Sequence, residues 1–402
     1  MKLTAVLAFS LAFLGCIYAQ DTVKVAIPSE KKVSWFDKIS IRGYGQVRYN
    51  RLLETNKDLK CEQCDKSWGD NGGFFIRRMR IVFFGQISPR LYFYVQPDLA
   101  SAVSATTQHF AQIRDAYLDL GLDSKNEFRF RIGQSKVPYG FENMQSSQNR
   151  LPLDRNDALN SAVPNERDLG VFFYWAPEKK RHLFSSLIKE GLKGSGDYGI
   201  FALGLFNGQT ANKPELNNHP HIVARASYPM KIGQQIVEAS LQGYQGHYVV
   251  AKDQLSTGVK YKSDLSYQDS RVAGSFVLYP KPWGLVTEYN IGKGPEYNKI
   301  TDSIETRNLH GGYVQLNYKL NIGHQLLYPF TRYQYYEGGK KLEKDARSYT
   351  VKELEFGLEW QPFPAFELTA MYTISDRRFE DFTLQDNRQK GNLLRLQAQF
   401  NF

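Results

Sequence analysis

Several things are missing or scarce in this chain. Past its first residues, no stretch approaches the ~18 consecutive apolar residues that a spanning helix needs, and mean hydropathy is −0.47. A helical membrane protein is excluded. Cysteine is scarce, at three in 402 residues: Cys16 near the N-terminus, and Cys61 and Cys64 as a lone CxxC between Lys60 and Asp65. No second pair and no nearby histidine cluster completes a metal site. A local disulfide pinning a loop is the favoured reading, with zinc binding or redox catalysis as alternatives. No cofactor is implied. There is no linker, no low-complexity tract, and no internal repeat beyond the strand grammar described below, so one domain is expected.

The N-terminus supplies an address. Lys2 precedes an apolar run from Leu3 to Leu14, and Ala19 offers a small residue for cleavage before Gln20. This is the pattern of a secretory signal peptide. Phe13-Leu14-Gly15-Cys16 offers a competing lipobox, with Phe a poor fit at its first position. Either way the protein is exported. The expected organisation is a signal peptide at 1–19, an N-terminal periplasmic tail at 20–37 and a single domain at 38–402. Lys and Arg number 51 against 41 Asp and Glu, a net charge of +10. In a cytosolic protein that excess would suggest nucleic acid. Export argues against nucleic acid, and favours an anion-attracting interior or a surface facing acidic lipopolysaccharide.

The strand pattern carries the fold. At the C-terminus, Leu394, Leu396, Ala398, Phe400 and Phe402 alternate with Arg395, Gln397, Gln399 and Asn401. Successive strand residues point to opposite sides, so one face suits lipid and the other water. The grammar recurs at Ile39–Tyr49, with Arg42, Tyr44, Gln46 and Arg48 on the polar face. It recurs again at 313–320, 353–360 and 366–374. Charges this regular would ruin a soluble core and suit a solvated lumen. A chain ending on an aromatic at Phe402 resembles the signal by which outer-membrane barrels are recognised for assembly. Aromatics make up 14% of the chain; Tyr279, Trp283, Trp360, Phe363 and Phe366 flank turns and read as an interfacial girdle.

The connections alternate between short and long. Short turns fall near 88–90, 122–126, 177 onward, 229–233, 280–282, 321–323 and 361–364. Longer polar loops fall near 51–73, 100–109, 137–168, 208–219, 251–270, 294–309, 337–349 and 376–391. Seven turns plus eight loops make fifteen connections, hence an all-β, transmembrane antiparallel β-barrel of sixteen strands, with long external loops and both ends on the turn side. The segment 177–197 fits neither a tight turn nor a clean strand, which leaves eighteen strands as the alternative.

Residues 127–142, Glu-Phe-Arg-Phe-Arg-Ile-Gly-Gln-Ser-Lys-Val-Pro-Tyr-Gly-Phe-Glu, resemble a stretch typical of the phosphate-selective porins O and P. So do Ile113–Asp119, Glu166–Val171, Gly204–Gly208, Arg225 and Pro329–Tyr333, in family order over nearly the whole chain. The resemblance implies a homotrimeric, sixteen-stranded channel in the cell outer membrane, whose third loop folds into the pore and whose basic residues guide small anions such as phosphate. It also implies that Ile76-Arg77-Arg78-Met79-Arg80 belongs to the constriction. Strand parity puts Arg78 and Arg80 on one face and Arg77 on the other, unless a bulge intervenes.

The expected pore-lining residues are Arg42, Arg48, Arg78, Arg80, Arg129, Arg131, Arg150, Arg155, Arg225 and Arg332. On the wall, inward positions mix these arginines, Lys319 and Arg395 with Asp98, Asp115, Asp119, Glu288, Glu353, Glu355, Glu359 and Glu367. Loop 137–168 is the candidate eyelet, yet it sets Arg150, Arg155 and Arg167 against Glu142, Asp154, Asp157, Glu166 and Asp168. A dedicated phosphate filter is expected to be more one-sided, so a weakly selective general porin is the alternative. Competing classes are a surface adhesin and a lipid hydrolase. The last needs a base within reach of a nucleophile, and the seven histidines show no such arrangement.

Overall fold

The computed structural model describes residues 35–61, 73–104 and 107–402. The expected signal peptide, nearly all of the N-terminal tail, Cys64 and most of the first loop lie outside these residues. Cys61 is disulfide-bonded.

A 3-10 turn at Trp35–Lys38 leads into β1 (Ser40–Leu52), β2 (Phe74–Ser88), β3 (Leu91–Ser104), β4 (Thr107–Gly121) and β5 (Phe128–Lys136). Next come β6 (Arg167–Trp175), β7 (Phe201–Phe206), β8 (His221–Ile232), β9 (Gln235–Val249) and β10 (Ser266–Leu278). Then follow β11 (Trp283–Asn298), β12 (Ser303–Tyr318, continued at Leu320–Ile322), β13 (Gln325–Gly339), β14 (Ser348–Phe363), β15 (Phe366–Glu380) and β16 (Arg388–Asn401). Each strand pairs antiparallel with its neighbours, and β1 pairs with β16 to close a sixteen-stranded barrel. Closure leaves no unpaired edge, the condition for strands to lie in lipid.

The closing seam is held by Phe400 and Phe402. The Gly43 amide donates to the Phe402 carbonyl at 2.8 Å, and the Phe402 amide returns the bond at 3.0 Å. The rings of Phe400 and Phe402 lie over Gly45 and Gly43, where a Cβ would meet ring atoms at 2.2 and 2.4 Å. Outside the barrel Phe400 and Phe402 are exposed, while Arg395, Gln397 and Gln399 face inward and are buried.

Period-two patterning recurs along the strands; β8 alternates buried and exposed along most of its length. Trp283, Trp360 and Phe363 are exposed at the turn end, as the girdle reading expects. Tyr279 is not: it is buried inside, and its hydroxyl donates to Glu238 at 2.6 Å.

Several expected loops are shorter than the polarity of their residues suggested, 376–391 among them, where strand runs to Glu380 and resumes at Arg388. Strands β3 and β4 run to Ser104 and from Thr107, and β11 and β12 are 16 residues each, so 294–298 and 303–309 are paired strand. A strand needs only about 9–11 residues to cross the bilayer. Its outer part projects beyond lipid, loses the apolar face, and reads as loop.

The segment after Pro177 is helix, not strand, which fixes the count at sixteen rather than eighteen. Helix α3 spans Glu178–Lys189, with Phe184 and Leu187 on its buried side. Gly191 ends it at φ +67, with amide bonds from Gly191 to Ile188 and from Leu192 to Leu187. That is the double bond of a Schellman cap, completed by Leu187 packing with Leu192.

Candidate functional site

The third loop, 137–166, leaves β5 after Lys136 and enters the barrel. It carries two single-turn helices, α1 (Phe141–Met144) and α2 (Asp157–Asn160), and nearly all of it is buried. The Asn156 side chain caps α2 by accepting from the Leu159 amide at 3.0 Å.

Its acidic residues bind it to the far wall. Arg332 holds Glu142 at 2.7 Å, and Arg377 holds Asp157 at 2.8 Å, joined there by Lys340. Asp154 is gripped by Arg48 at 3.2 Å and by Arg395. In return, Glu288 on β11 accepts the amides of Phe141 and Glu142, at 2.5 and 2.9 Å. Glu166 closes the loop against Arg155, Arg167 and Arg114. Burial alone pushes these loop carboxyls up. The guanidiniums outweigh it: Arg155, Arg167 and Arg114 hold Glu166, and Arg48 and Arg395 hold Asp154, well below the usual carboxylate range. The mixed charge of this loop is therefore its anchorage.

A second insertion comes from the turn side. The segment carrying α3 reaches across that mouth, where the Gly191 carbonyl accepts from the Tyr328 hydroxyl and the Glu190 carbonyl from Lys319 at 2.6 Å. Lys193 pairs with Glu359 at 2.5 Å. The two insertions meet: Gln145 of the third loop donates to the Lys193 carbonyl at 2.5 Å, and Phe141 packs in one cluster with Phe184 and Leu187.

Of the ten expected arginines, seven are ion-paired. Besides Arg48, Arg155 and Arg332, Arg80 pairs with Asp98 at 2.8 Å and Arg129 with Asp197 at 2.7 Å. Arg131 holds Asp119 bidentately at 2.7 and 2.8 Å, and Arg225 pairs with Glu238 at 3.0 Å. The expectation of a solvated lumen all round is corrected accordingly, because inward charges on β10–β16 are buried against the third loop.

Among the described residues, three of the ten have no carboxylate partner. Arg78 donates to Gln46 at 2.8 Å, Arg150 to the carbonyls of Pro152 and Leu153 at 2.9 Å, and Arg42 lies 5.0 Å from the Phe84 ring. Lys136, which sequence reasoning missed, joins them; its ammonium donates to the carbonyls of Met144, at 2.8 Å, and Gln145. The four lie on β1, β2, β5 and the adjoining loop. That side also keeps open space: a cavity of about 250 Å³ lined by Arg42, Tyr92, Tyr117 and Lys136 shares Arg42, Gly43, Gln148 and Asn149 with another of about 270 Å³ that reaches Phe402.

The Arg77 question has a geometric answer. The pairing of β1 with β2 runs Gln46 to Arg78 and then Val47 to Ile76, so Arg77 is the extra residue of a bulge. Its charge helps to lower the Asp154 carboxyl.

The model of the family "phosphate-selective porin O and P" matches residues 56–402. The chain belongs to that family. Among solved structures, it is similar to the outer-membrane channel DcaP of Acinetobacter baumannii, with a TM-score of 0.55, 14% identity and coverage of 90% of this chain and 97% of that one. Salmonella typhi OmpF in complex with daunomycin gives a TM-score of 0.55, 12% identity and the same coverages. An anion-selective porin from Comamonas acidovorans gives 0.52, 9% identity and coverages of 90% and 99%. No curated protein matches the chain. The porin thus sits in the outer membrane as a closed barrel that allows passive diffusion.

Proposed function

We propose that this porin passes small anions, phosphate among them, along the β1–β5 side of its lumen. One observation carries the reading: among the described residues, four cations without a carboxylate partner share one side of the lumen, with Arg42 and Lys136 lining the open space there and Arg78 and Arg150 buried on the adjoining strand and loop. A low-dielectric wall focuses their field and raises local anion concentration. Guanidinium forks suit phosphate oxygens. Several modest sites, three already hydrogen-bonded to neutral groups and the fourth, Arg42, set against the Phe84 ring, attract an ion yet let it leave. The paired Arg48, Arg155, Arg225 and Arg332 position the constriction instead.

No step of chemistry on the solute is needed. His221 is buried with its Nε2 3.5 Å from an Asp269 carboxylate oxygen, and among the described residues neither ring nitrogen makes a closer hydrogen bond. A base without a nucleophile does not make a hydrolase.

The reading extends to the rest of the chain. Residues 1–19 direct export and are removed, Phe402 is read by the barrel-assembly machinery, the basic exterior meets lipopolysaccharide, and three copies assemble. Reversal potentials of the purified protein in planar bilayers under a KCl gradient test the central point: anion preference is expected, and cation preference would refute it. Deleting most of 137–166 in a barrel that still folds is expected to raise single-channel conductance; an unchanged value would remove the loop from the constriction.

A further inference from the structure

The β1–β5 cavity is unusually aromatic for an ion path. Tyr92, Tyr94 and Tyr117 line it from the wall, and Tyr198 reaches it from the segment after α3. All four are half-buried. Tyr94 and Tyr117 stack at 5.2 Å with ring planes 12° apart, and Phe84 lies 6.5 Å from Tyr92. Two cations frame the rings. Arg131 sits 4.0 Å from the Tyr117 centroid, and Arg42 lies 5.0 Å from that of Phe84.

The charge of the cavity is one-sided. Its carboxylates are satisfied already: Asp115 by Arg167 at 2.9 Å, and Asp197 by Arg129 and Arg181 at 2.7 and 2.9 Å. Arg131 is occupied by Asp119. Arg42 and Lys136 are the lining cations left without a carboxylate among the described residues. A bare inorganic anion would use those charges and waste the rings. An aliphatic carboxylate would do the same.

We propose that this cavity is a subsite for monocyclic aromatic carboxylates, the carboxylate held by Arg42 and the ring laid against Tyr92, Tyr94 and Tyr117. Phenol hydroxyls add donors, and a volume of about 250 Å³ admits a single-ring carboxylate. Stacked aromatics recognise flat faces without tight polar capture, so the solute slows without being trapped. The second cavity, past Gln148 and Asn149 toward Phe402, gives the ligand a way out on the turn side.

The inference rests on the anion-path reading above and deepens it. Its test adds benzoate or acetate to the turn side of single channels in KCl and measures block of the current. Benzoate is expected to reach half-block at a concentration about fivefold below acetate, the ratio an aromatic contact supplies. In Tyr92→Leu and Tyr94→Leu the ratio should fall below about twofold, whereas Arg42→Gln should weaken both anions together. Equal block by benzoate and acetate in the wild type overturns the subsite, as does an undiminished ratio in the tyrosine variants. Anion preference with equal block sinks the subsite and spares the anion path. If the barrel prefers cations or fails to conduct, equilibrium dialysis of ¹⁴C-benzoate against detergent-folded wild type decides: binding that excess unlabelled benzoate displaces and equal acetate does not supports the subsite, and its absence overturns it.

Discussion

At the scale of single residues, an arginine's meaning depends on what stands beside it. Arg48 and Arg78 are both inward and both buried, but Arg48 spends its charge on Asp154 and Arg78 keeps its own. The sequence places both on the inward face by parity; it cannot pair them, because Asp154 lies 106 residues from Arg48. Removing a carboxylate therefore changes more than removing an arginine. Asp154→Asn leaves Arg48 and Arg395 sharing a buried neutral amide. Breaking a buried pair costs about 3–5 kcal/mol, and the freed charge should shift the reversal potential further toward anions; thermal unfolding and a KCl gradient check both. At the seam, Gly43→Val puts a side chain against the Phe402 ring and the Arg80 carbonyl, where a Cβ would lie 2.6 Å from the oxygen. Overpacking of this kind costs about 1–3 kcal/mol, so the heat-modifiable folded band on gels should weaken. The glycine and the terminal aromatic were both plain in the sequence, but their contact was not.

At the scale of elements, the two insertions set the aperture. Strands were legible because a lipid face and a lumen face alternate with period two. Helix α3 was hidden because its apolar residues, Leu183, Phe184, Leu187 and Ile188, cover one side of a short helix between polar ones, at a place where strand grammar was expected. Deleting 178–196 with a short turn in its place should raise conductance and leave the barrel folded, as single-channel traces would show. The third loop is held by carboxylates whose folded pKa values are depressed, so its anchorage is fully present above their unfolded pKa of about 4. It is lost as pH falls through the lower folded values of Asp154 and Glu166. The contacts of Asp154 and Glu166 are expected to add a change in conductance only well below a pH of about 4. An acid step that Asp154→Asn leaves unmoved would assign the anchorage to other groups.

At the scale of the molecule, a net charge of +10 and a near balance of inward charges looked like weak selectivity spread around the wall. The folded barrel separates them. On β10–β16, cations and carboxylates cancel and hold the third loop. On β1–β5, uncompensated cations, tyrosines and open space coincide. Strand number, closure and membrane topology were readable from periodicity and loop lengths; this division was not, since it depends on which wall the third loop leans against. Double replacement of Arg78 and Lys136 by glutamine in planar bilayers, read as reversal potential under a KCl gradient, tests the division most directly. The separation predicts a marked loss of anion preference, while Arg225→Gln combined with Glu238→Gln, which removes a paired cation together with its carboxylate, should leave less of a mark. Equal effects from both variants, or none from the first, would contradict it.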